Sequence, residues 1–287
     1  MEARDYREGD IRLLLELAQE LWRNDPRDLS CTFGQIAFWS ANIPHADWRA
    51  RLWFDGGGQL AGWGWLTQEV ELEWQVRPEH AVLLDEILDW ARPSELMARM
   101  HHADAIARIR AHGLEPDQGA PWMRINHRSL DQVEHPSLPD GYRLCTMADG
   151  VDGRSRSAAH RSAFSPSRFS DDVYAAVRAT WPYRGDLDCV ALAPDGSVAS
   201  YTLAWLDEAN GIGELEPVGT HEDHQRRGLG RAVNLFALQR LRAEGATEAL
   251  VACRGDEAYP VPRLLYESVG FRELVRTTPF GRPVDGS

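Results

Sequence analysis

The 287-residue chain contains no lysine, so all 31 of its basic residues are arginine. This absence excludes a phosphate-binding loop of the Gly-Lys-Ser/Thr type, whose ammonium must reach the terminal phosphates. Cysteine is scarce as well. Cys31, Cys145, Cys189 and Cys253 show neither a CxxC nor a histidine-paired spacing, which argues against a metal knuckle or a disulfide framework and leaves them as expected packing residues. No apolar run approaches the length of a membrane span, and the opening Met-Glu-Ala-Arg-Asp-Tyr-Arg-Glu-Gly-Asp is the opposite of a signal peptide. The chain is therefore expected to be cytoplasmic, with no membrane partner. Positive charge is in deficit too, at 31 basic against 44 acidic residues. The deficit is concentrated in residues 1–140, with 14 Arg against 24 Asp+Glu, while residues 141–287 hold 17 against 20. A surface of this sign argues against nucleic acid, whose phosphates need basic partners. It is compatible with an amine substrate, or is simply a solvated acidic surface.

What the chain does have is a strand-like run that stops at a glycine turn and restarts as a helix, Glu214-Leu-Glu-Pro-Val-Gly-Thr-His-Glu-Asp-His-Gln-Arg-Arg-Gly-Leu-Gly-Arg-Ala232. A helix that begins at such a turn leaves several backbone N–H groups without intrahelical acceptors, at the positive end of the helix dipole. That arrangement is an anion cradle. Its candidate residues are Gln225, Arg226, Arg227, Gly228, Leu229, Gly230 and Arg231, in which the arginines add charge and the glycines add backbone freedom and room for a bulky anion. A dinucleotide fingerprint would need a third glycine where Val233 stands. The following helix is amphipathic, with Leu229, Ala232, Val233 and Phe236 on one face, and ends near Gly245. A strand-like run follows at 247–253, and then Arg263-Leu-Leu-Tyr-Glu-Ser-Val-Gly-Phe271.

The Gln/Arg-x-x-Gly-x-Gly loop and the later Leu-Tyr-x-x-x-Gly-Phe, in this order and one helix and one strand apart, resemble the two hallmarks of the GNAT superfamily of N-acetyltransferases. The resemblance covers residues 141–287 well. It implies acetyl-CoA as acyl donor, bound through its pyrophosphate at the loop, and an amine as acceptor. It also implies a gap between two strands that admits the pantetheine arm, for which Val218 and Thr220 are the main-chain candidates. Pro217 and Gly219 mark a bulge that would open that gap. Tyr266 matches the family's tyrosine that protonates the departing thiolate. Deprotonating an ammonium of pKa about 10.4 calls for a base, and Glu214 and Glu216 share one strand face just ahead of the loop. Glu214 lies where some members of the superfamily place that base and ranks first. Tyr259-Pro-Val-Pro262 stands where the family often has an asparagine, a departure that bears on contacts to the coenzyme arm.

The first half reads as a worn copy of the second. Asp55-Gly-Gly-Gly58 and two strand-like runs, 59–66 and 70–76, parallel Asp195-Gly196 with 197–206 and 213–220. After His80 the first copy passes into a helix with no glycine turn, and Ile109 stands where Tyr266 does, so cradle and acid are both missing. Its tryptophans at strand positions read as core. The expected fold is α/β (α+β), two tandem GNAT-like domains, each a mixed, mostly antiparallel sheet flanked by helices. Residues 1–130 form the degenerate copy, 131–140 a linker and 141–287 the acetyl-CoA-binding copy. Ser170 is expected to cap the second of two helices beside the acceptor site. His221-x-x-His224 has a metal-like spacing but sits on a loop with another explanation, and His101-His102 has no partner spacing, so no metal is expected. The expected function is acetyl transfer to a small amine by a monomer or homodimer. A non-enzymatic acyl-CoA sensor is the alternative, and a tRNA-dependent ligase of tandem form is disfavoured by the acidic charge.

Overall fold

Residues 1–42, 47–99 and 102–283 are described by the computed structural model; His101 lies outside them. The first half runs β1 (Glu2–Asp5), α1 (Ile11–Asn24), α2 (Phe33–Asn42), β2 (Trp48–Phe54), β3 (Leu60–Thr67), β4 (Glu71–Val76), α3 (Leu83–Ala91), β5 (Glu95–Arg99), α4 (Ala103–Ala111), β6 (Glu115–Pro116) and β7 (Met123–Ser129). The second runs β8 (Arg143–Thr146), α5 (Gly153–Ala163), α6 (Asp171–Ala179), β9 (Asp188–Leu192), β10 (Val198–Asp207), β11 (Ile212–Thr220), α7 (Leu229–Ala243), β12 (Glu248–Arg254), α8 (Val261–Ser268) and β13 (Arg272–Gly281).

Local chemistry accounts for most of these elements. In α1 the buried Leu14, Leu15, Ala18 and Leu21 recur at helical spacing and form one apolar stripe. Ser170 caps α6, its hydroxyl accepting from Val173 N at 3.1 Å, as expected. Gly245, at φ +95°, ends α7 by returning its N–H to Arg242 O while Ala246 N reaches Leu241 O. Residues 2–5 pair antiparallel with β2.

The two halves repeat one topology. In each, a short strand precedes two helices, then three antiparallel strands (β2–β3–β4 and β9–β10–β11), a helix, and a strand parallel to the last of the three (β5 on β4, β12 on β11). All strands but the marginal β6 fall in one path, β1-β2-β3-β4-β5-β13-β7-β12-β11-β10-β9-β8. The path shows that the halves exchange their closing strands. β7, in the first half of the chain, lies against β12 of the second along its whole length. β13, the last strand, pairs with β7 through Arg272–Arg276 and with β5 of the first half through Thr277–Gly281. The helical side of the first half also packs on the second, with α2 against α6, β10 and β11. The buried tryptophans Trp53, Trp63, Trp65 and Trp74 are core, and all four cysteines are buried and free.

Candidate active site

The site is built where β11 leaves β12. Their parallel pairing covers only Ile212–Glu214 against Glu248–Leu250, after which β12 continues with β7 and β11 with β10. The divergence follows from a bulge. Thr202 faces Val218 and Ala204 faces Leu215, so Glu216 and Pro217 stand opposite the single residue Leu203. Proline has no N–H for the ladder, and the extra residue bends the strand away from its neighbour. The expected gap is therefore present, with the half-buried Val218 and Thr220 on the bent segment. Gly219 is held in close contact: a Cβ there would lie 2.7 Å from the Tyr201 hydroxyl and 2.8 Å from Ala163 of α5.

At the end of β11 a 3-10 turn at Glu222–His224 leads into the arginine and glycine turn. The backbone φ is positive at Arg226 (+58°) and Gly228 (+76°) but not at Arg227, an alternation that turns successive amides toward one side. Among the described residues, the N–H groups of Arg226, Arg227, Gly228, Leu229, Gly230 and Arg231 have no protein acceptor; the first intrahelical bond is Ala232 N to Gly228 O at 3.0 Å. Gly228 is the αL residue that opens α7, and a Cβ on it would meet open space. Gly230 has no positive φ, so its value is room alone: a Cβ there would sit 3.5 Å from both Leu265 of α8 and the Thr220 hydroxyl. Gln225 turns inward to Thr220 O at 3.4 Å, and Arg227 reaches Asp223 O at 3.2 Å. Arg231 departs from the expected employment. Its guanidinium pairs with Glu134 of the connecting segment and donates to Ser268 O, tying α7 to that segment and to the end of α8.

The two candidate bases are in different surroundings. Glu214 is 4% exposed, and its carboxyl lies at the start of α2: Oε1 is 2.5 Å from the Thr32 hydroxyl and Oε2 receives Gly34 N–H at 2.6 Å. It closes the end of a helix that lies 180 residues earlier in the chain. Burial raises its pKa to about 7 despite these donors. The protonated carboxyl satisfies the cluster completely, since its O–H can donate to Thr32 Oγ1 while that hydroxyl donates to Gln35 Oε1 at 2.8 Å. Both oxygens are thus engaged in packing α2, and the first-ranked base is placed in an interface between the halves.

Glu216, two residues on, is half-buried on the bulge. Its pKa is raised to about 8, first by desolvation and then by the charge of Glu214, against a hydrogen bond from Trp39 of α2. Its main-chain carbonyl accepts the Trp205 indole N–H at 2.6 Å. Tyr266 of α8 is 7% exposed and packs edge-on to Phe271. Burial pushes its phenol well above 10, and the charge of Glu216 adds to that rise. Among the described residues the phenol makes no hydrogen bond. The structure thus brings together Glu216, Tyr266, the bent segment of β11 and the cradle, and sets Glu214 and Arg231 to one side.

The histidine pair is differently occupied. His224 Nδ1 is 2.9 Å from the Tyr142 hydroxyl, and His221 Nδ1 accepts from Asp223 N at 3.3 Å. Sequence reasoning missed the contributions of α2 (Thr32, Gly34 and Trp39), which no motif announces. It also missed His160, whose Nδ1 lies 2.7 Å from the Tyr201 hydroxyl and whose ring stacks on Phe169. Desolvation lowers the His160 pKa to about 3, so the ring is neutral.

Residues 157–271 match the model of the acetyltransferase (GNAT) family. The mycothiol acetyltransferase of Saccharomonospora viridis is 28% identical over 221 residues, covering 70% of each chain. That of Streptomyces griseus is 27% identical over 278 residues, covering 90% of this chain and 87% of its own. Among solved structures, a GCN5-related N-acetyltransferase from Sphaerobacter thermophilus superposes with a TM-score of 0.66 at 19% identity, covering 98% of this chain and 96% of its own. A tandem GNAT protein from the clavulanic acid biosynthesis pathway gives 0.64 at 16%, covering 99% and 100%. These structures share the fold, including its tandem form.

Proposed function

We propose that the protein, whose residues 157–271 match the model of the acetyltransferase (GNAT) family, takes acetyl-CoA as donor and transfers its acetyl group to the amine of a small molecule. The observation that carries the donor assignment is the run of six acceptor-free amides at 226–231, beside an opened strand pair. A few charge-assisted bonds of roughly 1.5–3 kcal/mol each reach the ~8 kcal/mol of micromolar binding. Arg226, Arg227 and Gln225 flank those amides, and Val218 and Thr220 offer main-chain groups to the arm beyond. The coenzyme supplies a thioester, activated for attack by a neutral amine.

In this proposal Glu216, rather than Glu214, removes the proton from the acceptor. An ordinary carboxylate at 4.5 lies ~6 units below an ammonium near 10.4, a transfer uphill by ~8 kcal/mol; at about 8 the mismatch falls to ~2.4 units, or ~3 kcal/mol. Its partly exposed position leaves room for a substrate or a relaying water. Tyr266, neutral at any working pH, protonates the departing sulfur. The first half, residues 1–130, has no counterpart of the cradle and supplies the α2 wall. Relatives named mycothiol acetyltransferase support a small-molecule acceptor for this chain too. The test is a calorimetric titration with acetyl-CoA, then mass spectrometry of amines incubated with protein and coenzyme. One coenzyme per chain and a product heavier by one acetyl group are expected; absence of binding refutes the proposal.

A further inference from the structure

The two halves of the chain offer a comparison within one molecule. Trp65 of β3 stands opposite Glu73 of β4, and Trp205 of β10 stands opposite Glu214 of β11, at equivalent places in the two repeats. Both side chains are buried, Trp65 at 2% and Trp205 at 1% exposure. Their N–H groups fare differently. That of Trp205 donates to the main-chain carbonyl of Glu216 at 2.6 Å, whereas that of Trp65 has no hydrogen-bond partner among the described residues.

The strands that they face account for the difference. β4 pairs with β3 in unbroken register from Glu71 to Val76. In such a ladder the carbonyls point toward neighbouring strands, out of reach of an indole that stands on the face of the sheet. β11 instead sets Glu216 and Pro217 opposite the single Leu203. Pro217 brings no N–H, so the ladder is interrupted and the carbonyl just before it is released. A carbonyl withdrawn from both ladder and water needs a donor, and Trp205 supplies one. The bent segment is fastened a second time from β10, where Ser200 Oγ donates to Gly219 O at 3.0 Å and lies 2.8 Å from the Thr220 hydroxyl. By alternation Ser200 and Trp205 lie on opposite faces of β10, so the segment is held from both. β4 and β5 also part, beyond Leu72 and Leu96, but there Gln75 and Arg99 both bond to the main chain at Leu29–Cys31, and the chain itself bridges the two strands. The tryptophan is thus common to the halves, while its hydrogen bond belongs to the half that has the bulge, Glu216 and the cradle.

We propose that Trp205 is a positioning residue of the transfer site, its indole N–H holding the Glu216 carbonyl in the bulge and so fixing the segment Glu216–Thr220 along which the coenzyme arm lies. This role rests on the acetyl-CoA reading above. Because Trp205 acts through the backbone of β11, its loss is felt by the arm and not by the pyrophosphate in the cradle. The experiment is calorimetry on the full chain with two ligands, acetyl-CoA and its fragment without the arm, ADP phosphorylated on the ribose. Trp205→Phe keeps an aromatic ring in the core and removes the N–H. It is expected to bind the fragment within ~2-fold of the native chain and acetyl-CoA ~10-fold more weakly. Trp65→Phe removes the same volume and an N–H that bonds nothing, and is expected to bind both ligands as the native chain does. If Trp205→Phe does not fold, benzothienylalanine in place of Trp205, with sulfur where the N–H was and the shape of the ring kept, is expected to give the same pattern. Acetyl-CoA affinity that is unchanged by loss of this N–H, that falls equally in Trp65→Phe, or that falls together with affinity for the fragment overturns the role of Trp205 and leaves the coenzyme reading standing. A native chain that binds neither ligand overturns the coenzyme reading, and this role with it.

Discussion

Glu214→Gln is expected to leave the protein nearly as stable as the native chain at pH 5 and to make it clearly more stable at pH 8.5. The carboxyl is buried at the start of α2, with its pKa raised from 4.5 to about 7. An acid whose folded pKa exceeds its unfolded value binds more protons when folded. The native chain therefore keeps the full contribution of this group below about 4.5 and loses it as pH rises through about 7. A difference of ~2.5 units corresponds to ~3 kcal/mol. At 4% exposure solvent does little to reduce it. Glutamine reproduces the protonated acid: its carbonyl takes the Gly34 N–H, and its amide donates to Thr32 Oγ1, which remains bonded to Gln35. The assay is urea unfolding of both proteins at pH 5 and pH 8.5. With an m-value of ~3 kcal/mol/M, the midpoints should lie within ~0.3 M of each other at pH 5 and separate by ~1 M at pH 8.5. Glu73 titrates in both proteins and its contribution cancels in the comparison. An equal gap at the two pH values would refute the reasoning, because Glu214 would then not be the group that changes protonation.

Glu216→Gln is expected to reduce acetyl transfer by ~10²-fold or more and to abolish the rise in rate through pH ~8, read from kcat/KM against pH. Because the Glu214 charge helps to raise Glu216, Glu214→Gln should move that rise to lower pH, and an unmoved limb would separate the two groups. Tyr266→Phe should slow turnover ~10²-fold while acetyl-CoA binding measured by calorimetry stays nearly unchanged; equal turnover would make the ring a packing residue. Gly228→Glu should abolish acetyl-CoA binding, since it forces a side chain onto φ +76° and sets a carboxylate beside the free amides, yet it should preserve the fold because a Cβ there meets open space. Retained binding would place the coenzyme elsewhere.

The parts of this fold that local chemistry dictates were legible in the residues. Asp195-Gly196, the Pro217 bulge, the Ser170 cap and the Gly228 turn each announce a backbone requirement within a few positions, and each is met. The repeat of hairpin turn, strand pair and helix was visible as well. What escaped depends on partners far away in the chain. β7 and the ten residues of β13 lack strong alternation, and their strand character comes from neighbours more than 100 positions distant. Glu214 and Glu216 look equivalent by alternation, and only the arrival of α2 distinguishes them, giving Thr32 and Gly34 to one and Trp39 to the other. Arg231 is indistinguishable from its neighbours in the loop until Glu134 claims it.

The exchange of closing strands has a consequence for the order in which the molecule can form. As the chain leaves the ribosome, β5 has a finished neighbour only in β4, and its other edge must wait for Thr277–Gly281, made long after it. β7 waits likewise for β12, and its early presence gives the later half a template to assemble on. The first half is incomplete when its own last residue is synthesised, and the second is completed only by a strand of the first, so a half without its own cradle cannot be shed: it holds the strand on which β12 is aligned, and through β12 one wall of the gap.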